Sequence, residues 1–437
     1  MSAHLTTRQR NELNAAILDY LSSNSQFSNA YEVFKEEAGL SEAPPATGRE
    51  QGLLVKKWNS VIRLSKQVSD LKVKMAQMVE SDGNPTERGN TGGERRNLPL
   101  QKEPVTVMSG HRERVTCVRA HPKFGLVASS SDDSTIKVWD AESGMLEASL
   151  KGHSKAVSHI AFNASGDLLA SCSSDMTVKL WNMSSTKGRD SLYKCARSMV
   201  GHDHTVSTVE FLVAGNRVVS CSRDKTIKIW DISSGYCINT LQGHRDWIRA
   251  LAVCKHDNLI ASGGNDQVLI VWRLSEGTKG TVGSELHRLE HHTHSIQTIA
   301  FAGKPLQRVG ATNDPSSQEN GAAESSKPPS PPEVMLLASA GRDNMICLWN
   351  LNSGELAFVL DDHTNWVNDL LFHPTSKYLL SASDDRSVKV FDLESRRCLR
   401  TLEDAHGHFV TCLTMAPHLG RLFSGGVDFE VRGWECR

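Results

Sequence analysis

The chain carries almost no net charge: 49 lysines and arginines face 50 aspartates and glutamates, leaving −1. No overall basic field therefore argues for nucleic acid or for an anionic membrane as partner. The ten cysteines include no Cys-x-x-Cys pair, which excludes a sequence-evident zinc site or disulfide scaffold and suits small buried apolar residues in a reducing cytosol. No run of about eighteen apolar residues occurs, and the start, Met1-Ser2-Ala3-His4-Leu5-Thr6, has no apolar signal core. The expectation is a soluble intracellular protein with no membrane insertion and no cofactor.

What the chain does have is a repeat. Asp133, Asp175, Asp224, Asp266, Asp343, Asp385 and Asp428 each lie six residues before an aromatic: Trp139, Trp181, Trp230, Trp272, Trp349, Phe391 and Trp434. A serine precedes each aspartate by four residues (Ser129, Ser171, Ser220, Ser262, Ser339, Ser381, Ser424). A histidine precedes it by twenty-two in six copies: His111, His153, His202, His244, His363 and His406. In the remaining copy His292 is fifty-one residues before Asp343, so that repeat carries twenty-nine extra residues. A period of 42–43 residues, broken only by insertions, is the length of a four-stranded propeller blade. Short alternating runs such as Thr177-Val178-Lys179-Leu180-Trp181 fit strands, and Gly, Asp and Ser clusters between them fit turns. Gly-His, Ser, Asp and Trp-Asp at these offsets look like WD repeats, and seven blades close a ring without a long exposed sheet edge. The last repeat stops just after Trp434 and lacks an outer strand, for which residues 105–108, ahead of the first Gly-His, are the natural donor.

A Ser, a His and an Asp in every repeat raise the question of catalysis. A hydrolase needs one activated nucleophile in one site. Seven copies, each with its own Trp, fit a repeated structural network better, with His202 bridging Asp224 to Ser220 beside Trp230 and its six counterparts doing the same.

The repeats occupy about 330 residues and leave a separate N-terminal segment. Thr6 and Gln9 have capping-box spacing, and Leu13, Ile17, Tyr20 and Leu21 share one face of the helix that follows. A second short helix carries Ala30, Val33, Phe34 and Ala38. Two such helices in residues 1–40 bury too little surface alone, so pairing with a second copy is expected. Residues 50–80 read as a longer helix in which Val61, Leu64, Val68, Leu71, Met75 and Met78 form a heptad seam. Valine at a and leucine at d favour a parallel two-stranded coiled coil, with Lys57 weakening its start. Residues 81–104, with four glycines and three prolines, read as a flexible linker. The fold class expected is an all-β seven-bladed propeller over 105–437, preceded by an α-helical dimerisation region.

If His and Asp meet, their turns share one rim, the top. The longer connections 183–197 and 274–289, and the Pro- and Ser-rich insertion 302–333, then all fall at the bottom, and the last reads as a disordered loop. The top keeps constant spacing but varies in residue type. Three residues after the histidines come Arg114, Ala156, Thr205, Trp247, Ser295, Trp366 and Phe409; just before the aspartates come Asp132, Ser174, Arg223, Asn265, Arg342, Asp384 and Val427. Trp and Arg most often dominate protein-binding energy. Trp247, Trp366 and Phe409, with Arg223, Arg249 and Arg342, make a candidate protein-binding patch. The alternatives are aromatics plugging the ring's core and a phosphate-reading basic patch, the latter opposed by interleaved Asp132 and Asp384.

The N-terminal pattern Leu13-Asn14, Ile17, Tyr20-Leu21, Ala30 and Phe34 resembles a LisH motif, although the turn Ser23-Asn24-Ser25-Gln26-Phe27 lacks the usual glycine after Asn. The order LisH, coiled coil, linker and seven WD repeats, with stretches such as Lys56-Lys57-Trp58-Asn59-Ser60-Val61 and Val431-Arg432-Gly433-Trp434-Glu435-Cys436-Arg437, resembles the lissencephaly protein/nuclear distribution protein F family. The resemblance implies a homodimeric regulator of cytoplasmic dynein that clamps the motor domain through propeller faces. It also implies NudE-type coiled-coil adaptors and platelet-activating-factor acetylhydrolase catalytic subunits as partners. Roles in nuclear migration and in spindle and centrosome positioning, in the cytoplasm and on the cytoskeleton, come with it. Family residues that contact dynein match Lys151, Arg223, Arg249 and Trp366. A second class remains open, a WD-repeat scaffold in a corepressor complex or a substrate receptor of a ubiquitin ligase. Cullin-linked receptors usually carry Arg two residues after a Trp-Asp pair; the positions here are Glu142, Ser233 and, after Phe391-Asp392, Glu394.

Overall fold

Each repeat folds as strands whose successive side chains point to opposite faces, and because a blade lies between two others both faces of its second strand are buried, as in Arg217–Ser222. In Thr226–Asp231 the alternation sends Ile227 and Ile229 into the cluster shared with blade four, while Trp230, on the opposite face, enters the cluster shared with blade two; Thr226 and Lys228 are half-buried. The protein's structure, a computed structural model, describes residues 98, 103–183, 193–213, 215–254, 257–277, 280–303 and 335–436. The helical segments expected at 1–40 and 50–80, with Leu13, Ile17, Leu21, Phe34, Val61, Leu64, Val68 and Leu71, lie outside these residues. So do most of 81–104, residues 184–192 and all but the first two residues of 302–333.

The described strands form seven four-stranded antiparallel sheets. From the centre outward, blade one is β2 (Val115–Ala120), β3 (Leu126–Ser131), β4 (Thr135–Asp140) and β5 (Leu146–Lys151). Blades two to six follow in chain order as β6–β9 (within 157–200), β10–β13 (206–242), β14–β17 (248–290), β18–β21 (296–360) and β22–β25 (367–402). Blade seven takes β26 (Val410–Ala416), β27 (Arg421–Gly426) and β28 (Glu430–Glu435), and its outer strand is β1 (Thr106–Ser109), from the start of the domain. Thr106 pairs with Gly433 and Met108 with Val431, and Met108 is fully buried. The donated strand is thus the one expected, displaced by one residue. Neighbouring inner strands pack side by side, with β2 between β26 and β6, so the ring closes on itself.

The cores lie between blades. The Trp, or Phe391, of one blade packs against residues of the preceding one: Trp181 joins Val138 and Leu150 of blade one, and Trp230 joins Leu180 and Met199 of blade two. A glycine before the histidine makes room for this indole in four blades; a Cβ added at Gly243 would stand 2.7 Å from Cη2 of Trp272.

Two expectations are corrected. Residues 274–289 are not merely a longer connection: they continue β16 (Val268–Gly277) and β17 (Gly280–Glu290) into one long hairpin, with Leu274 opposite Gly283. Gly283 leaves space that Leu241 of the neighbouring blade fills. The linker 81–104 is not free along its whole length, because Leu98 is buried in the apolar cluster between blades six and seven, with Leu380, Leu422 and Trp434. The cysteine expectation holds for seven of the ten, which are buried, while Cys195 and Cys237 are exposed on outer strands; all ten are free thiols. Burial pushes the Cys221 thiol up to about 12, far from a reactive thiolate.

Candidate protein-binding face

The top rim is held by the repeated network. In blade three Nδ1 of His202 is 2.6 Å from Asp224 Oδ2, and Nε2 is 2.8 Å from Ser220 Oγ. Trp230 Nε1 donates to the same Ser220 Oγ at 2.8 Å. Asp224 also accepts from the amide of Asp203 and from the amide and hydroxyl of Thr226. An ionised carboxylate only accepts, so Nδ1 carries the imidazole hydrogen; Ser220, already accepting from the indole, donates its own hydrogen to Nε2. The His–Asp and His–Ser contacts recur in all seven blades, including His292 with Asp343 across the insertion. Phe391 has no N–H to give Ser381, and that blade runs on the His363 contact alone.

This is the hydrogen-bond order of a hydrolytic triad, Ser to His to Asp, and burial decides what it does. All seven serine residues are fully buried, and six of the hydroxyls are also occupied by an indole N–H. No substrate carbonyl reaches such an oxygen. Burial raises the energy of each aspartate's charge, but the hydrogen bonds outweigh it: Asp133 is held at about 2, and the other six are also below the ordinary carboxylate range. The network is a set of seven rivets that fix the top turns.

Those turns present the two sets of variable residues, and one backbone hydrogen bond per blade joins them. The amide of the residue before each aspartate donates to the carbonyl three residues after the histidine: Arg223 to Thr205 at 3.0 Å, Asn265 to Trp247 at 2.8 Å, Arg342 to Ser295 at 3.0 Å and Asp384 to Trp366 at 2.9 Å. A cation of one blade then covers an indole of the next. The Arg223 guanidinium lies 4.9 Å from the Trp247 ring centroid, and Arg342 lies 4.2 Å from Trp366. Trp366 is 40% exposed and Phe409 37%, so neither plugs the core. Arg249 reaches the patch from a third set of positions. It occupies a β-bulge, the register shift between Ile248 and Ala250, which re-aims its side chain. Its guanidinium lies 6.0 Å from Trp247, and its Nε donates to Asn265 Oδ1.

The structure therefore brings Arg223, Trp247, Arg249, Arg342 and Trp366 together across blades three to six. Lys151 stands apart, exposed at the end of the outermost strand of blade one. The bulge positions of the other blades, such as Thr116, Asn368 and Thr411, were missed by spacing arguments. Their side chains bond carbonyls of the next blade's inner strand, at Val157, Val410 and Val115 respectively. A polar cluster lining the ring's centre was missed too. Arg119 of blade one donates to His159 Nε2 at 2.8 Å and lies 3.9 Å from Asp369 of blade six. No metal-binding group of His, Cys, Asp or Glu occurs among the described residues.

Comparison with known proteins agrees with this architecture. The PAC1 LisH domain model matches residues 7–43, and the WD domain, G-beta repeat model matches 102–140, 144–182, 193–231, 235–273, 354–392 and 396–435. The unmatched span falls on blade five, which carries the insertion. Nuclear distribution protein PAC1 of Coccidioides posadasii is 38% identical over 436 residues, 96% of this chain and 88% of the relative. Nuclear distribution protein nudF 1 of Talaromyces marneffei is 38% identical over 426 residues, covering 95% and 89%. Nuclear distribution protein PAC1 of Ajellomyces capsulatus is 36% identical over 436 residues, covering 96% and 90%. The chain belongs to the PAC1/nudF nuclear distribution family. In this family member the LisH domain occupies the segment from residue 7, and the WD repeats form the seven-bladed propeller described above.

Proposed function

We propose that this PAC1/nudF family member is a non-enzymatic, homodimeric regulator of cytoplasmic dynein that grips the motor domain with its top face. In this reading it supports nuclear migration and spindle and centrosome positioning from the cytoplasm and cytoskeleton. The observation that carries the reading is the pairing of Arg223 with Trp247 and of Arg342 with Trp366 on a rim whose frame does not vary. Guanidinium and indole groups on a rigid, partly exposed surface are the residue types that anchor protein interfaces. Their Arg–Trp stacking pre-organises them, so little rotamer freedom is lost on docking. Relatives named for nuclear distribution make a motor that moves nuclei the natural partner class.

Dimerisation falls to the N-terminal segment, through Leu13, Ile17, Leu21 and Phe34 in the LisH domain and Val61, Leu64, Val68 and Leu71 in a parallel coiled coil. Two faces on one stalk engage one motor with higher effective concentration than either alone. NudE-type adaptors, and acetylhydrolase catalytic subunits where present, are further partners in this reading. Full-length protein is titrated into a labelled dynein motor domain while its mass is followed by sedimentation. The reading expects a dimer that binds and slows or remodels stepping, and a monomeric chain from residue 93 that binds more weakly. A full-length monomer, or a dimer without affinity for the motor domain, would overturn it.

A further inference from the structure

The top face has a charge asymmetry that a protein clamp alone does not require. Two of its carboxylates are held by side chains: Arg114 pairs with Asp132 at 2.8 Å, and Asn368 donates to Asp384 at 2.6 Å, although the Asp384 charge still reaches Arg342. In blades three to five the acidic residues act on the arginines from a distance and do not pair with them. There, among the described residues, no carboxylate lies within ion-pair distance of Arg223, Arg249 or Arg342. The nearest acidic influence on Arg249 is Asp246, one of whose oxygens accepts from the Trp247 amide. Burial, then the charges of Arg342 and Arg223, push Arg249 down to about 10, so the three cations are close enough to feel one another. Nε of Arg342 is buried with no partner.

We propose that this trio is a binding site for a small soluble anion bearing clustered phosphate groups, of the inositol polyphosphate class. The geometry favours phosphate over carboxylate. A guanidinium lying over an indole can still donate N–H groups from its rim, and Arg223 and Arg342 both lie over indoles, with Nε of Arg342 buried. Three guanidiniums from three blades need several acceptor oxygens in three dimensions; a planar carboxylate satisfies one fork at a time, whereas phosphates offer tetrahedral sets. The ligand offsets a repulsion that Asp246 and Asp384 relieve only in part. The site does not depend on the motor-domain reading, although a polyanion bound there would compete with any partner using the same arginines.

Isothermal titration of the full chain with inositol hexakisphosphate, with no partner protein present, tests this directly. Binding is expected to weaken as salt rises. Arg249→Gln and Arg342→Gln should each lower affinity roughly tenfold or more, the loss of a charge-assisted contact. Arg249→Lys, which keeps the charge but not the fork, should also weaken it. Arg114→Gln, in blade one and paired with Asp132, should not. A glutamate-rich peptide run as a parallel arm should bind far more weakly. Absence of binding, equal binding of the peptide, or equal loss in Arg114→Gln with folding confirmed by circular dichroism would each overturn the proposal.

Discussion

Asp224 receives hydrogen bonds from His202, Asp203 and Thr226, and its removal strands a buried imidazole N–H. Asp224→Ala should therefore cost about 1–3 kcal/mol, the penalty for a buried unsatisfied group, and lower the melting temperature. An unchanged melt would mean the rivet carries no stability. The same groups set the response to pH. Each of the seven aspartates has a folded pKa below its unfolded value, so its contribution is present above the unfolded pKa and is lost as pH falls through the folded one. Burial also pushes His111, His121 and His159 below the ordinary histidine value, which makes the unfolded chain the better proton acceptor from about pH 6.5 downward. Urea midpoints should fall in two stages, first below about pH 6.5 and again between about pH 4 and 2; a midpoint flat from neutral to pH 5 would contradict the histidine assignment. The rivets were legible because the same chemistry recurs at fixed offsets. Arg249's placement was legible only in part, since a bulge that re-aims one side chain leaves no mark in spacing.

At the scale of elements, β1 closes blade seven by pairing with β28, and Met108 enters the core beside Trp139 and Val431. A chain starting at Gly110 should lose this strand and expose the edge of β28, and its thermal transition should drop or broaden relative to one starting at residue 93. Coincident melts would show that closure does not need the donated strand. That strand was readable because a four-stranded period ended one strand short. The long β16–β17 hairpin was not: its glycines, Gly277, Gly280 and Gly283, read as loop, whereas Gly283 is a packing position beneath Leu241. Nor was Leu98, since two leucines around a proline in a polar linker give no period to read, and Leu98 gains its meaning only from the crevice between blades six and seven.

Across the whole propeller, ring closure joins residues distant in sequence. Arg119 and Asp369 meet only because blades one and six face a common centre, a relation no local pattern encodes. Asp369 is also fixed by the Leu413 amide and the Thr298 hydroxyl, so blades one, five, six and seven share one polar knot. The top and bottom faces differ in kind. The top combines an invariant frame with cationic and aromatic side chains, while the bottom takes the length changes and exposes scattered apolar residues such as Phe124, Met145 and Tyr236. The central claim is that the top is the working face. It is tested most directly by titrating a dynein motor domain with two full-length triple variants, Arg223→Ala/Arg249→Ala/Trp366→Ala and Phe124→Ala/Met145→Ala/Tyr236→Ala. An anchor of this kind contributes about 2 kcal/mol or more, roughly thirtyfold in affinity, so the top variant should nearly abolish binding while its circular dichroism and sedimentation match the parent. The bottom variant should bind as the parent does. Undiminished binding by a folded top variant, or loss confined to the bottom one, would contradict the account.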